Sequence, residues 1–470
     1  MTLRARISVA ALLATVLACH TAAGDELQVD VSVEPGKSDR WKVEYQLSTP
    51  VDALVFARGN GDYRAAAWRL QRGFVLERLG ATDRIRRKNG KAFERFKATI
   101  DTYSERIAKD YTPFIRFSDG SVAIFSGQFS VGVPESAVAE DFTDGARNEN
   151  TRWPDRAEIT FEPGTFEQMI VATEVVSEAR TIALGDGEYV YMGGATVLET
   201  PHLTSVTDAA APAWLRELLY DSMAQTFEYY ASKLGQLAGG KPFMLTSFTP
   251  LDGRRISFAG GVVGSQIAIQ LALGEGIRDT PGEREFMAQF FAHESAHLWN
   301  NGQVISAEPS EAWLHEGSAE AMAWLALADL GIHSEATAIS LFESAANECI
   351  TYLESGTLAT AARRDEFQAY YECGAVIALA TNGVLQAAGS DLFAVWRELI
   401  DGSLAGDGTY RAKNYYALTD AVSTDLTAAI RSVVEDELAD PTAAVEALLE
   451  IGNVAVIDVE EQGLALPTMP

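Results

Sequence analysis

The stretch Phe291-Ala292-His293-Glu294-Ser295-Ala296-His297-Leu298-Trp299-Asn300 constrains this chain most, because it contains H-E-x-x-H. On a helix, residues four apart share one face, with Cβ atoms roughly 5–6 Å apart. His293 and His297 can then reach a single metal ion at about 2.0–2.1 Å each. Glu294 leans over the same site and can take a proton from a water activated there. The flanking residues favour the helix. Thr280 suits an N-cap, Pro281 suits the first helical position, and Glu283 completes a capping box. Phe286, Met287 and Phe290 supply an apolar face ahead of the histidines.

A catalytic zinc normally takes three protein ligands. Trp313-Leu314-His315-Glu316-Gly317 is the obvious source of the third. Eighteen residues separate His297 from Glu316, enough for a tight return and the start of an antiparallel helix. Asn301-Gly302 ends the first helix and Pro309-Ser310 starts the second. His293, His297 and Glu316 are therefore the expected Zn²⁺ ligands, with Glu294 as general base. Glu320, one turn on, either accepts a hydrogen bond from a ligand histidine or is an idle surface carboxylate. His315 is expected to point away from Glu316, and either to line the pocket rim or to support the ligands from behind without being one itself. His202 and His333 fall outside the constellation.

A net charge of −29, from 37 basic and 66 acidic residues, argues against nucleic acid and anionic membrane surfaces as partners. The length of 470 residues suits two or three domains. Arg4 and Arg6 precede an apolar run from Ile7 to Ala18, too short to span a membrane, which reads as an export signal over residues 1–24. Thr21-Ala22-Ala23 suits ordinary signal peptidase, whereas Val16-Leu17-Ala18-Cys19 resembles a lipobox that would place a lipid anchor on Cys19. The expected location is periplasmic or secreted, or the outer membrane as a lipoprotein. No other segment is long and apolar enough to span a bilayer. Cys349 and Cys373 either pair in that compartment or stay buried as free thiols.

Residues 25–206 read as an antiparallel β-rich domain, a sandwich or saddle. Leu27, Val29, Val31 and Val33 alternate with polar residues, Pro35-Gly36 turns, and Trp41, Val43, Tyr45 and Leu47 alternate again. Asp119-Gly120 and Asp186-Gly187 each read as a hairpin turn between apolar runs. The basic stretch Arg84 to Lys97 reads as a solvated loop and helix face, or as a docking patch for an acidic partner. Residues 207–388 read as the catalytic unit, with a helix over 213–234 and strands over 242–249, 254–260 and 264–271. Residues 281–300 and 311–330 carry the metal ligands on two further helices. Residues 389–470 read as a helical C-terminal region, and beyond residue 335 helices are expected over 335–355, 365–386, 390–400, 413–437 and 441–450. The fold class expected is α+β multidomain.

H-E-x-x-H, eighteen residues, then Glu316 within W-L-x-E-G resembles the gluzincin metallopeptidases, specifically the aminopeptidase N and leukotriene hydrolase superfamily. The flanks are more similar to the glycyl-aminopeptidase family. His297-x-Trp299-Asn300 matches its H-x-W-N ending, and Tyr370-Tyr371-Glu372-Cys373-Gly374 resembles its Y-Y-x-K-G segment with Cys373 in place of lysine. The spacing of eighteen suits aminopeptidase N better. The resemblance implies a thermolysin-like α/β zinc domain, a peptide or protein substrate, and Tyr371 as the phenol that stabilises the tetrahedral oxyanion, with Tyr370 in the core. It also implies a glutamate on the strand beside the zinc that holds the substrate's α-ammonium. Here that segment is Ala259-Gly260-Gly261-Val262-Val263-Gly264-Ser265, with Val263 where the glutamate belongs. A zinc-dependent peptidase that is not a strict aminopeptidase is the reading. Its alternatives are a catalytically weak zinc-bearing binding or assembly protein of the cell envelope, and a hydrolase of a non-peptide bond.

Overall fold

A computed structural model of the protein describes residues 26–454 apart from 38, 60, 106, 108 and 109. The export signal and Cys19 lie outside the described residues. Among those described, the N-terminal region holds three sheets, of six, five and five strands. The alternating pattern works as expected at Gln28–Pro35. Val29, Val31 and Val33 are buried, and the strand pairs antiparallel with Arg40–Val51 across the Pro35-Gly36 turn, Val31 opposite Tyr45. On its other side it pairs in parallel with Arg156–Phe161, so the region is not wholly antiparallel.

Two expectations for this region fail. The Asp186-Gly187 turn does not join a hairpin. Arg180–Ala183 pairs with Arg156–Phe161, whereas Tyr189–Gly193 inserts between Gln168–Val171 and Val122–Phe125 in another sheet. Every residue of Tyr189–Gly193 is buried, which a strand attains only inside a covered sheet, while Arg180–Ala183 is mostly exposed. The basic stretch is no helix. Thr82–Arg87 and Phe93–Asp101 are strands, because Phe96, Ala98 and Ile100 repeat with a period of two. Its charges are largely answered internally, Arg86 by Glu77 at 2.6 Å and Lys97 by Glu44 at 2.7 Å. The hairpin at Asp119-Gly120 forms as expected, Phe114–Arg116 against Val122–Phe125.

The second region has a five-stranded mixed sheet. Its order runs Val197–Glu199, Thr204–Thr207, Phe243–Leu251, Gln266–Gly274 and, at the edge, Ile256–Val263. The strand Thr204–Thr207 pairs with Phe243–Leu251 of this sheet. The edge strand runs further than its sequence suggests. Val263 pairs with Gln266 across a two-residue turn, where Gly264 adopts φ +57°. Glycine at the first turn position suits a tight hairpin, so Val262 and Val263 belong to the strand.

One face of the sheet packs on helices. Ala213–Leu234 buries Leu215, Leu219, Met223, Phe227 and Tyr230 and stops at Gly235 with φ +88°. Pro281–His297 is capped by Thr280, whose hydroxyl accepts from the Glu283 backbone N–H. The Glu283 side chain does not return the bond. It pairs with Arg254 at 2.7 Å. Further helices follow at Trp313–Asp329, Glu335–Leu353, Gln368–Ala387, Leu392–Leu404, Ala412–Asp420, Thr424–Glu435 and Pro441–Ile451. The helix expected over 413–437 is two, because Ser423 caps a fresh start by accepting from Leu426 N–H. These helices and the sheet face share one large apolar core, separate from that of the N-terminal sheets. The described residues thus show an antiparallel-dominated β region, a mixed α/β middle and a helical C-terminal region. Among them no single helix is long and apolar enough to cross a membrane.

Candidate metal centre

The helix Pro281–His297 presents His293 and His297 one turn apart, and Trp313–Asp329 brings Glu316 against them. The second helix is held there by two glycines. Gly317 abuts Gly374 of the helix Gln368–Ala387, and a Cβ on Gly374 would lie 2.8 Å from Gly317 Cα. This backbone-to-backbone crossing sets Tyr371, one turn before Gly374, beside Glu316. The Tyr371 ring stacks on His293, centroids 5.6 Å apart and planes 19° apart. The disulfide Cys349–Cys373 ties the same helix to Glu335–Leu353, with Cα atoms 4.7 Å apart. The two cysteines, whose pairing the spacing leaves open, are therefore joined.

His293 Nε2 and His297 Nε2 lie 3.0 Å apart, and Glu316 Oε2 lies 3.5 Å and 3.1 Å from them. Three ligands at about 2.0–2.1 Å around a tetrahedral ion would be separated by roughly 3.3 Å. The outer nitrogens determine what the inner ones offer. His297 Nδ1 faces Asn300 Oδ1 at 3.0 Å, and His293 Nδ1 faces Glu320 Oε1 at 3.4 Å. An N–H on each Nδ1 leaves a lone pair on each Nε2. Glu316 Oε2 is buried and has no hydrogen-bond partner. With both imidazoles neutral, three lone pairs converge on one point, an arrangement that a metal cation satisfies, and two imidazoles with one carboxylate suit Zn²⁺.

The protonation tendencies express the same demand. Burial lowers the His293 pKa, but Glu320, Glu316 and Glu294 outweigh it and raise it to about 9. Burial raises the Glu316 carboxyl, yet His297, His293 and His315 hold it well below the usual carboxylate range. Burial first, then the Glu316 and Glu294 carboxylates, raises Tyr371 far above an ordinary phenol, so its hydroxyl keeps its proton. Glu294 is half-buried on the helix face next to the histidines.

His315 does not point away from Glu316. Its Nε2 lies 3.4 Å from Glu316 Oε1, and its ring centroid is 5.9 Å from that of His297. It thus steadies the carboxylate oxygen that faces away from the histidines. Tyr370 is core, buried and accepting from Ala362 N–H. His333 is buried against the Glu285 carbonyl. Asn300 is the residue whose role the sequence reading missed. It is fully buried in the π-turn Leu298–Gly302, and it also donates to the His315 carbonyl at 2.8 Å. Its position three residues after His297 was the available clue. π-turns recur at functional sites because they swing such a side chain back towards its neighbour.

No protein-family model matches the chain, and no curated protein matches it. Solved structures are similar in shape. An M1 zinc metallopeptidase variant from Deinococcus radiodurans bound to Tyr-Ser-Ala is 12% identical with a TM-score of 0.49, covering 88% of this chain and 94% of that one. Native yeast LTA4 hydrolase is 13% identical with a TM-score of 0.49, covering 87% of this chain and 68% of its own.

Proposed function

We propose that the chain is an exported zinc-dependent peptidase that cuts within peptides and does not count from a free amino terminus. The three converging lone pairs of His293, His297 and Glu316 carry this reading, with Glu294 and Tyr371 on the same face. Zinc held there would supply Lewis-acid activation of water and of a peptide carbonyl. Glu294 takes the proton of the attacking water and returns it to the leaving amine. The Tyr371 phenol, kept protonated, donates to the oxygen on which negative charge develops. Asn300 holds His297 in one tautomer, and the Glu320 carboxylate, 3.4 Å from His293 Nδ1, favours a proton there.

The endopeptidase assignment rests on a missing counter-charge. An ammonium buried without a carboxylate costs several kcal/mol. Val263 supplies none, being buried in an apolar cluster with Phe243 and Leu245. Glu283 is paired with Arg254, and Glu320 is turned to His293 Nδ1 at 3.4 Å and accepts from Gln289 at 3.2 Å. Export agrees with the buried disulfide, which belongs to an oxidising compartment. The location is then periplasmic or extracellular, or the outer membrane if Cys19 carries lipid.

Digestion of a peptide pool by zinc-loaded and chelated protein, with mass spectrometry of the cut sites, tests the reading. Internal cuts are expected, abolished by chelator. Glu294→Gln should keep its zinc and lose about 10²–10⁴ in rate. N-acetylated peptides should be cut as well as their free-amine twins. Stepwise release of single residues, blocked by acetylation, would overturn the endopeptidase assignment.

A further inference from the structure

Three aromatic side chains beside the metal centre have no part in the chemistry above. Phe286 and Phe290 lie on the metal helix, and Phe258 lies on the edge strand Ile256–Val263. All three are half-buried, in contrast to Phe291 on the other face of the same helix, which is 1% exposed. Phe258 and Phe290 stack with ring centroids 3.7 Å apart, and Phe258 reaches Phe286 at 6.4 Å. At 100° per residue, Phe286, Phe290, Glu294 and His297 fall within about 80° of one another around the helix axis. The aromatic shelf is therefore continuous with the face that carries the general base and a metal ligand. Phe290 stands one turn before Glu294, the spacing that makes helical side chains neighbours.

Packing alone explains why the rings touch one another, since they glue the edge strand to the helix. It does not explain why three large rings stay partly open to water on the face that carries Glu294. Beyond Pro281 and Gly282 at its start, the other open positions on this helix are polar, as at Glu283 and Gln289.

We propose that Phe258, Phe286 and Phe290 form a subsite that receives a large apolar side chain of the substrate, next to the bond that is cut. The inference rests on the peptidase reading and adds the substrate class, peptides with an aromatic or large aliphatic residue flanking the scissile bond. An apolar surface of this kind favours a large side chain over glycine by about tenfold or more, because covering it removes apolar surface of both partners from water.

The experiment uses N-acetylated peptides in which one residue, scanned along the sequence, is Phe, Leu, Lys, Asp or Gly. Wild type should favour Phe or Leu over Gly at least tenfold in kcat/KM at one flanking position. Phe290→Ala and Phe258→Ala should each cut that ratio several-fold, with thermal unfolding recorded for both. If either fails to fold, Phe286→Ala and Phe290→Leu replace them, the first lowering the ratio and the second shifting it from Phe towards Leu. A second readout is binding of uncut peptide to zinc-loaded Glu294→Gln. The Phe peptide should bind about tenfold tighter than its Gly twin, and adding Phe290→Ala should remove the difference. A wild-type ratio near one at every position, or an unchanged ratio in folded variants, overturns the subsite and leaves the peptidase reading intact. Absence of all cleavage overturns the peptidase reading, and the binding ratio then decides the subsite by itself.

Discussion

His297 can offer Nε2 to a metal only while Nδ1 holds the proton, and Asn300 Oδ1 at 3.0 Å makes that tautomer the favoured one. Partners of this kind are worth about 10–100-fold in metal affinity. Asn300→Ala should therefore weaken zinc by that factor in a chelator competition, while the fold persists. Unchanged affinity would remove Asn300 from the centre. Glu372 tests the charge balance beside it. Burial, reinforced by Glu320 and Glu348 and opposed by Gln368, raises its pKa to about 7. An unfolded glutamate titrates near 4.3. Between these values the unfolded chain releases the proton first, so stability falls as pH rises from about 4.5 to 7 and stays lower above. Glu372→Gln should flatten that fall and raise stability above pH 7 by about 1–3 kcal/mol in denaturant titrations. An unchanged pH profile would place the buried charge elsewhere.

At the scale of elements, the site depends on where helices touch as much as on which residues they carry. The helices Trp313–Asp329 and Gln368–Ala387 cross at Gly317 and Gly374 with no side chain between them. A methyl at Gly317 would collide with the Gly374 backbone, so one helix must move and carry Glu316 or Tyr371 with it. Overpacking of this kind costs about 1–3 kcal/mol or more. Gly317→Ala should lower stability by at least that much and weaken zinc as well. Native stability with native zinc affinity would mean that the crossing has slack. Helix positions were legible in the sequence because the apolar period and the caps coincide. Ala213–Leu234 agrees at both ends with its reading, since Gly235 stops it. The strands around Tyr189 were less legible. Two short apolar runs flanking Asp-Gly look alike whether they pair with each other or leave for different sheets.

Over the whole molecule, the helix with Tyr371 is anchored from two sides, by the glycine crossing and by Cys349–Cys373. The disulfide closes a loop with a sequence separation of 24 residues. Cross-links of that span stabilise by about 3 kcal/mol, through restriction of the unfolded chain in the usual account. Cys373→Ser, or reduction of the folded protein, should lower the unfolding midpoint accordingly and reduce peptidase rate before it reduces zinc content, because the bond lies on the helix of Tyr371 and reaches the ligand Glu316 only through the glycine crossing. Loss of zinc in step with rate would mean that the ligand helices depend on it equally.

The four-residue spacing of His293 and His297, the helix caps and the apolar periods are local. They follow from backbone geometry that any nearby sequence must obey, so the chain by itself determines that one helix offers two imidazoles and that a second begins near Glu316. Three further features are decided by long-range packing. Asn300 donates to the His315 carbonyl, Tyr371 stacks on His293, and Phe258 meets Phe290 from a strand over thirty residues earlier in the chain. Each depends on which surfaces are left to bury once the sheet and helices have met. That is a property of the assembled core, and no single stretch of the chain encodes it.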